Sequence, residues 1–412
     1  MSNTISKSLS KYLANYSEIE ISQLANFPKE HKFQHALVIP AYQESADFIN
    51  NFCQSALVKQ NVLVVVVLNQ PDCDDNIQPQ QVLYQQLQQF GKTKEISAEL
   101  TFIALSHSNS ALLVVNRYLR PIPAKQGVGL ARKIGCDLVC QLISTNIVKS
   151  SFIASTDADA CLPDNYFTVQ QILSANKHSA GCYNFVHYCA DKTIHQATQT
   201  YETALRYYVA GLTYAKSAYA FFTIGSILIF NVNAYANVRG FPKKSAGEDF
   251  YLLNKLAKIG EVALLTDSTI TLQARLSDRV PFGTGPAVQK ILNLNEQALP
   301  YCYYHPAVFD ELKMVNQAIV LLAEQLAQCS VNDKLAGVDT WLASLSSVSQ
   351  QALKNIGFDS FISKHLTDST TQFNKQWLVW FDAFKTLKFI HALRELAYSD
   401  LPLIDALRIK SF

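Results

Sequence analysis

Charge is scarce in this 412-residue chain: Asp, Glu, Lys and Arg together make up 17% of it, against about a quarter of a typical soluble domain. The 35 basic and 33 acidic residues nearly cancel, which excludes the strongly basic face of a dedicated nucleic-acid binder. Long apolar runs are missing too. The longest, 62–68 and 224–230, are strand-sized and far below the roughly 20 residues that cross a bilayer. The opening MSNTISKSLSKYLANYSEIE has no apolar h-region, so no secretory signal and a cytoplasmic location are expected. The nine cysteines include no Cys-x-x-Cys pair. An odd count without framework spacing predicts reduced thiols. Cys136 and Cys140 lie four apart on a predicted helix with no partner histidine nearby, and read as packing residues rather than zinc ligands.

What is present favours a folded chain. Hydrophobic residues reach 49% and aromatics 11%, which excludes disorder as the dominant state; the length suggests about two to three domains. Residues 1–33 are polar and helix-like, an N-terminal arm. From 34 to 286, short Val- and Ile-rich runs at 36–39, 62–68, 100–105, 151–154, 224–230 and 261–265 alternate with helix-like stretches at 44–58, 79–90, 127–143, 164–177 and 248–259. Continuous rather than alternating apolar runs mark strands buried on both faces. Strand–helix alternation predicts an α/β domain with a doubly wound, mainly parallel sheet and helices on both faces. Beyond 287 long helical patterns take over, which predicts a helical C-terminal domain over 287–412.

In a doubly wound sheet, ligands bind beyond the carboxyl ends of the strands. The loops there contain Tyr42, Glu44, Asn69, Asp157 and Asp159. An Asp-x-Asp pair means little alone, and a second one, Asp72-Cys-Asp74, exists. Asp157 and Asp159, however, end an apolar run. Paired carboxylates there repel unless a cation or proton neutralises them, and hard oxygen donors in an open site suit Mg²⁺ or Mn²⁺ shared with phosphates. The alternative is that both acids only cap a turn. Glu248 and Asp249 open an amphipathic helix whose Leu252, Leu253, Leu256 and Ile259 form an apolar stripe. N-terminal capping accounts for one acid; a carboxylate on a rigid helix start is also well placed as a general base.

Four segments, in order over residues 36–275, resemble the nucleotide-sugar glycosyltransferases of GT-A type, closest to glycosyltransferase family 2. They are Val38-Ile-Pro-Ala-Tyr-Gln-Glu44, Lys125-Gln-Gly-Val-Gly-Leu-Ala-Arg132-Lys-Ile-Gly, Asp157-Ala-Asp159 with Leu162-Pro-Asp, and Gly225-Ser226 followed by Arg239-Gly-Phe241 and Gly247-Glu-Asp249. The resemblance implies a GT-A-like fold and a hexosyltransferase-like enzyme that moves sugar from a nucleoside-diphosphate sugar to an acceptor hydroxyl, with inversion. It implies a Mn²⁺ or Mg²⁺ cofactor on Asp157 and Asp159, Asp249 as base, and Glu248 positioning it. Ala41, Tyr42 and Glu44 would line the nucleotide pocket, with Lys125 and Arg132 near the base or diphosphate. Where the family has an acidic, Gly/Ser-containing turn after its second strand, this chain reads Leu68-Asn69-Gln70-Pro71-Asp72, leaving Asn69 to meet the base.

Arg275 and Arg279 beside Gly283 and Gly285 suit a phosphate clamp on a closing lid, with an ordinary surface loop as the alternative. His187 and His305 are candidates for a third metal ligand, and for each a structural role is the commoner outcome. The aromatic stretch 377–384, flanked by Lys375, Lys385, Lys388 and Arg394, is expected in a core but leaves peripheral membrane contact open. Two other functions compete. A sugar-1-phosphate nucleotidyltransferase should carry a Gly-rich basic loop after its first strand, which Pro40-Ala-Tyr-Gln-Glu44 lacks. An inactive scaffold need not keep Asp157, Asp159 and Asp249.

Overall fold

The computed structural model describes residues 6–276, 283–328, 330 and 333–412. The chain forms two compact units, Met1–His195 with Thr223–Pro286, and Gln196–Phe222 with Ala287–Phe412.

The first unit is built on ten strands: β1 His35–Ala41, β2 Val62–Pro71, β3 Gly91–Glu95, β4 Leu100–Leu105, β5 Ala111–Ile122, β6 Phe152–Ser155, β7 Ala160–Cys161, β8 Ala180–Tyr188, β9 Leu228–Asn231 and β10 Val262–Gln273. Their order across the sheet is β3-β4-β5-β2-β1-β6-β9-β8-β10-β7. The central strands β5, β2, β1 and β6 are parallel neighbours, and β10 runs parallel to β8. Only β4, β7 and β9 oppose the common direction, so seven of the ten strands point one way. Residues 62–68 of β2 are completely buried. A strand without an exposed side must be covered on both faces of its sheet.

The helix Gly127–Ser144 packs on β1 and β2. Gly135 lets it approach: a Cβ there would come within 2.5 Å of a Val38 methyl. The same helix receives the N-terminal arm, a helix Lys7–Asn15 and a short 3-10 helix Ile19–Asn26. Asp137 is fully buried and accepts from Tyr12 Oη, the Glu18 amide and Tyr235 Oη, while Lys133 Nζ donates to it at 2.8 Å. Lys133 also donates to Tyr12 Oη and the Tyr16 carbonyl. Burial pushes the Asp137 carboxyl up, and Lys133 opposes that shift.

Several predicted elements differ from those observed. The 224–230 run opens as a 3-10 turn, Gly225–Ile227, and its strand β9 is antiparallel to both neighbours. The stretch 44–58 breaks into a helix Asp47–Gln54 and the start of a 3-10 helix Ala56–Gln60, and 164–177 is α-helical only over Val169–Ala175. Strands β3, β5, β7 and β8 and the helix Lys192–Tyr214 are not among the predicted elements. Cys136 and Cys140 are buried in their helix.

The second unit is helical, with Ala307–Gln328 at its centre and a two-stranded pair, β11 Cys302–Tyr303 and β12 Leu401–Pro402. Phe309, Leu312, Ile319, Trp341, Phe358 and Leu393 are core residues, as are Ala204, Tyr207 and Leu212 from the earlier segment. Within 377–384, Trp377 and Phe381 belong to this core too. Among the described residues no helix is long and apolar enough to cross a membrane.

Removing one partner of a buried ion pair strands the other charge, at about 3–5 kcal/mol. Asp137→Ala should therefore lower unfolding free energy by that amount in urea titration, whereas Lys133→Met/Asp137→Leu should lose less than either single variant. A double-variant loss equal to the sum of the two single losses would show that Lys133 and Asp137 do not depend on each other.

Candidate functional site

Strands β1, β2 and β6 run parallel, so the loops after Ala41, Pro71 and Ser155 leave the same edge of the sheet. Thr156-Asp157-Ala158-Asp159 fills the last of these loops. Thr156 Oγ1 donates to the Ser226 carbonyl at 2.7 Å, and Ser226 Oγ donates to Asp157 Oδ2 at 2.6 Å. Asp157 is thereby tied to the turn that opens β9.

Arg132 joins the sequence-predicted acids. Its side chain is 2% exposed, and every terminal nitrogen is used. Nε donates to Glu248 Oε1 at 3.0 Å, Nη1 to Ser155 Oγ at 2.9 Å and the Thr156 carbonyl at 3.3 Å, and Nη2 to Asp157 Oδ1 at 2.5 Å. Burial works against its charge, but Asp157 and Glu248 hold the guanidinium protonated. Gly225 has to be glycine for this packing, because a Cβ there would lie 2.4 Å from Arg132 Nη2. The expected place for Arg132, beside a base or diphosphate, thus becomes one beneath the acids.

Glu248 and Asp249 begin the helix Glu248–Leu256. Glu248 is buried against Arg132, and Asp249 is half-buried, its Oδ1 accepting from the Phe250 amide at 2.7 Å. Burial and the neighbouring Glu248 charge push the Asp249 carboxyl up to about 7, with Arg132 opposing. Asp159 is pushed up to about 6 by burial and by Asp157, while Arg275 pulls it back.

Arg275 lies two residues beyond β10. Its Nη2 reaches Glu44 Oε1 at 3.0 Å and Asp159 Oδ2 at 3.3 Å, bridging the loops after β1 and β6. Ala41 is buried at the end of β1, and Tyr42 Oη donates to Asp74 Oδ2 at 2.6 Å. The second Asp-x-Asp pair is thus used locally: Asp74 holds Tyr42, and Asp72 Oδ1 accepts from the Ala124 amide. Asn69 sits at the end of β2, and its buried Oδ1 has no hydrogen-bond partner among the described residues. Lys125 stands exposed on the turn that Asp72 anchors.

The structure does not gather every candidate. His187 is buried on β8, opposite Leu272 and edge-on to Phe185. His305 belongs to the second unit, where its Nδ1 accepts from the Ala307 amide. Arg279 lies outside the described residues, as does most of the loop between Arg275 and Gly283; Gly285 falls in the first turn of the helix Thr284–Glu296. Conversely, Ser155 was not singled out, since a lone serine closing a strand gives no signal of the arginine behind it.

The donor set suits a hard divalent cation. Asp157 accepts once at each oxygen, and a carboxylate oxygen retains a further lone pair for a metal. The Asp157 side chain is 34% exposed and that of Asp159 21%. Among the described residues no group of three or more His, Cys, Asp or Glu is arranged to hold a metal by itself. A cation here would complete its shell with water or ligand oxygens, as Mg²⁺ commonly does.

No family model matches the chain, and no curated protein matches it. Solved structures that resemble it faintly include the following three. A mannosyltransferase from Pyrobaculum calidifontis in complex with GDP-Man and Mn²⁺ is 14% identical, with a TM-score of 0.38 over 92% of this chain and 94% of that one. A GalNAc-T crystallised with UDP, GalNAc and Mn²⁺ is 10% identical, with a TM-score of 0.34 over 64% and 48%. A mycobacterial protein is 10% identical, with a TM-score of 0.33 over 74% and 83%. Similarity this low carries no argument about activity.

Two raised carboxyls set a sign for stability. Between the ordinary aspartate value, about 4, and the raised values of about 6 and 7, the native state holds protons that the unfolded chain has released. Stability of metal-free protein should therefore fall as pH rises through that window. Asp249→Asn should flatten the fall, measured as urea midpoints at pH 5 and pH 8. A midpoint that climbs with pH in the parent and not in the variant would reverse the assignment.

Proposed function

We propose that this chain is a metal-dependent glycosyltransferase, transferring sugar from a nucleoside-diphosphate sugar to an acceptor hydroxyl in the cytoplasm. The observation that carries this reading is the Arg132 bridge. It fixes Asp157 of the Asp-x-Asp pair and Glu248, next to Asp249, on one buried cation at the carboxyl edge of the sheet. The acid proposed to hold the cation and the start of the helix that carries the proposed base are thereby tied to one group. The sequence resemblance to family 2 glycosyltransferases supplies the class of reaction and its inverting outcome.

Asp249 takes the proton of the acceptor hydroxyl. The acceptor oxygen forms a bond to the anomeric carbon, the bond from that carbon to the diphosphate breaks, and nucleoside diphosphate leaves. A base whose pKa is about 7 is well matched to neutral pH. Glu248, held by Arg132, positions the helix start that carries Asp249. Asp157 and Asp159 would hold Mn²⁺ or Mg²⁺, which when bound neutralises charge growing on the leaving diphosphate. Arg275, 39% exposed on its side chain, adds a guanidinium for the same oxygens. Ala41, Tyr42, Glu44 and Asn69 border the nucleotide, and exposed Lys125 sits at the rim.

Asp249→Asn should lower transfer by about 10²–10⁴-fold while Mn²⁺-dependent stabilisation by nucleoside diphosphate persists in a melting assay. In the parent, kcat should rise with pH through about 7. Near-parental transfer by a folded Asp249→Asn enzyme overturns the reading. Gly225→Ala presses a methyl onto Arg132, and misplacement of this kind costs about 100-fold in rate; full activity in that variant would detach Arg132 from catalysis.

A further inference from the structure

The helical unit contains a cleft of about 500 Å³, within the size range of small-molecule sites, to which the reading above gives no role. Its walls come from the helices Phe358–His365, Thr370–Trp380 and Ala383–Leu396. Three lysines line it, Lys364, Lys385 and Lys388, against one lining carboxylate, Asp382. His365 also lines it but is paired to Asp368 at 2.8 Å.

The positive charge is poorly placed for folding alone. Lys385 and Lys388 lie three apart on one helix, where like charges repel. Lys385 is the third residue of that helix, at the end where the peptide dipoles already disfavour cations. Burial pushes the Lys385 ammonium down, Lys388 pushes it further, and Asp382 opposes. Asp382 is itself engaged, accepting from the Lys385 amide at 3.1 Å. Lys385 Nζ donates to the Ile356 carbonyl and sits 5.0 Å from the centre of the Trp380 ring, which fixes one cation inside the cleft. Lys364 and Lys388 are exposed at its rim.

The remaining lining is not that of a bare anion hole. Trp380 is half-buried and rests on Phe361 at 4.9 Å between ring centres, giving a firm aromatic wall. Gln376 adds an amide that both donates and accepts. Aromatic wall, amide, carboxylate and three lining lysines together suit a hydroxylated ring that carries an oxyanion. We propose that this cleft is a binding site for a soluble sugar phosphate, with the phosphate on Lys364, Lys385 and Lys388 and the ring along Trp380. The inference does not depend on the glycosyltransferase reading.

The three tryptophans, Trp341, Trp377 and Trp380, all belong to the helical unit, so intrinsic fluorescence of the whole protein reports on it. The test is titration with glucose 6-phosphate at low ionic strength in EDTA, beside glucose, inorganic phosphate and phosphatidylglycerol vesicles. A saturable change is expected with glucose 6-phosphate, weaker with phosphate and absent with glucose. Lys364→Ala/Lys388→Ala should weaken it about tenfold or more at an unchanged melting temperature. Lys388→Glu alone gives a second reading should the double variant misfold. No saturable change, equal response to glucose, unaltered affinity in the lysine variants, or a response to vesicles alone would each overturn the proposal.

Discussion

At the carboxyl edge of the sheet, Asp157 and Glu248 are organised around one buried guanidinium. Arg132 touches the end of β6 through Ser155 and Thr156, the Asp-x-Asp loop through Asp157, and the helix at 248 through Glu248. A cation so placed is tolerable only while its carboxylates remain, and they are tolerable only while it remains. Three separate stretches of chain are consequently locked to one geometry. Among the described residues, five carboxylates, Glu44, Asp157, Asp159, Glu248 and Asp249, face two guanidiniums, Arg132 and Arg275. Burial first, and that excess second, raise Asp159 and Asp249; a divalent cation would relieve the excess.

The helix Gly127–Ser144 organises charge on two sides. Arg132 turns toward the acids, while Lys133, the next residue, and Asp137, one turn on, meet the N-terminal arm. The arm is thus part of the support for the site. Tyr12 and Tyr235 close over Asp137, so displacing the arm would open a buried carboxylate to water directly behind the helix that carries Arg132.

Much of the sheet was legible because its strands declare themselves locally. The valine run of β2 is apolar on both faces, and the acids at 157, 159, 248 and 249 follow or open elements in a readable way. What stayed hidden depends on partners distant in sequence. The middle of β5 carries Asn116 and Arg117, and buried Arg117 is paired with Glu20 of the arm. In β8 the alternation of Asn184 and His187 with aromatics obscured an interior strand. Arg132 looked like a ligand-facing residue, since no spacing in the sequence shows that Ser155, Thr156, Asp157 and Glu248 converge on it. Tyr42 follows β1 as its position after an apolar run suggests, but Asn69 lies within β2, and the bond from Tyr42 to Asp74 needed the fold.

The helical unit is assembled from two pieces of chain, 196–222 and 287–412, and this imposes an order on its synthesis. Tyr207 and Leu212 leave the ribosome long before Phe309, their partner in the core. At roughly 5–20 residues per second, the 87 residues from 222 to 309 delay that meeting by roughly 4–17 seconds. During that interval the earlier helix has an apolar side and no native cover for it. The intervening residues, which complete β9 and β10 of the sheet, are made in the same interval. The first unit can therefore close its sheet while the second is still waiting for its centre. Nascent chains should pass through a stage in which the sheet is complete while the helix Lys192–Tyr214 still lacks Phe309.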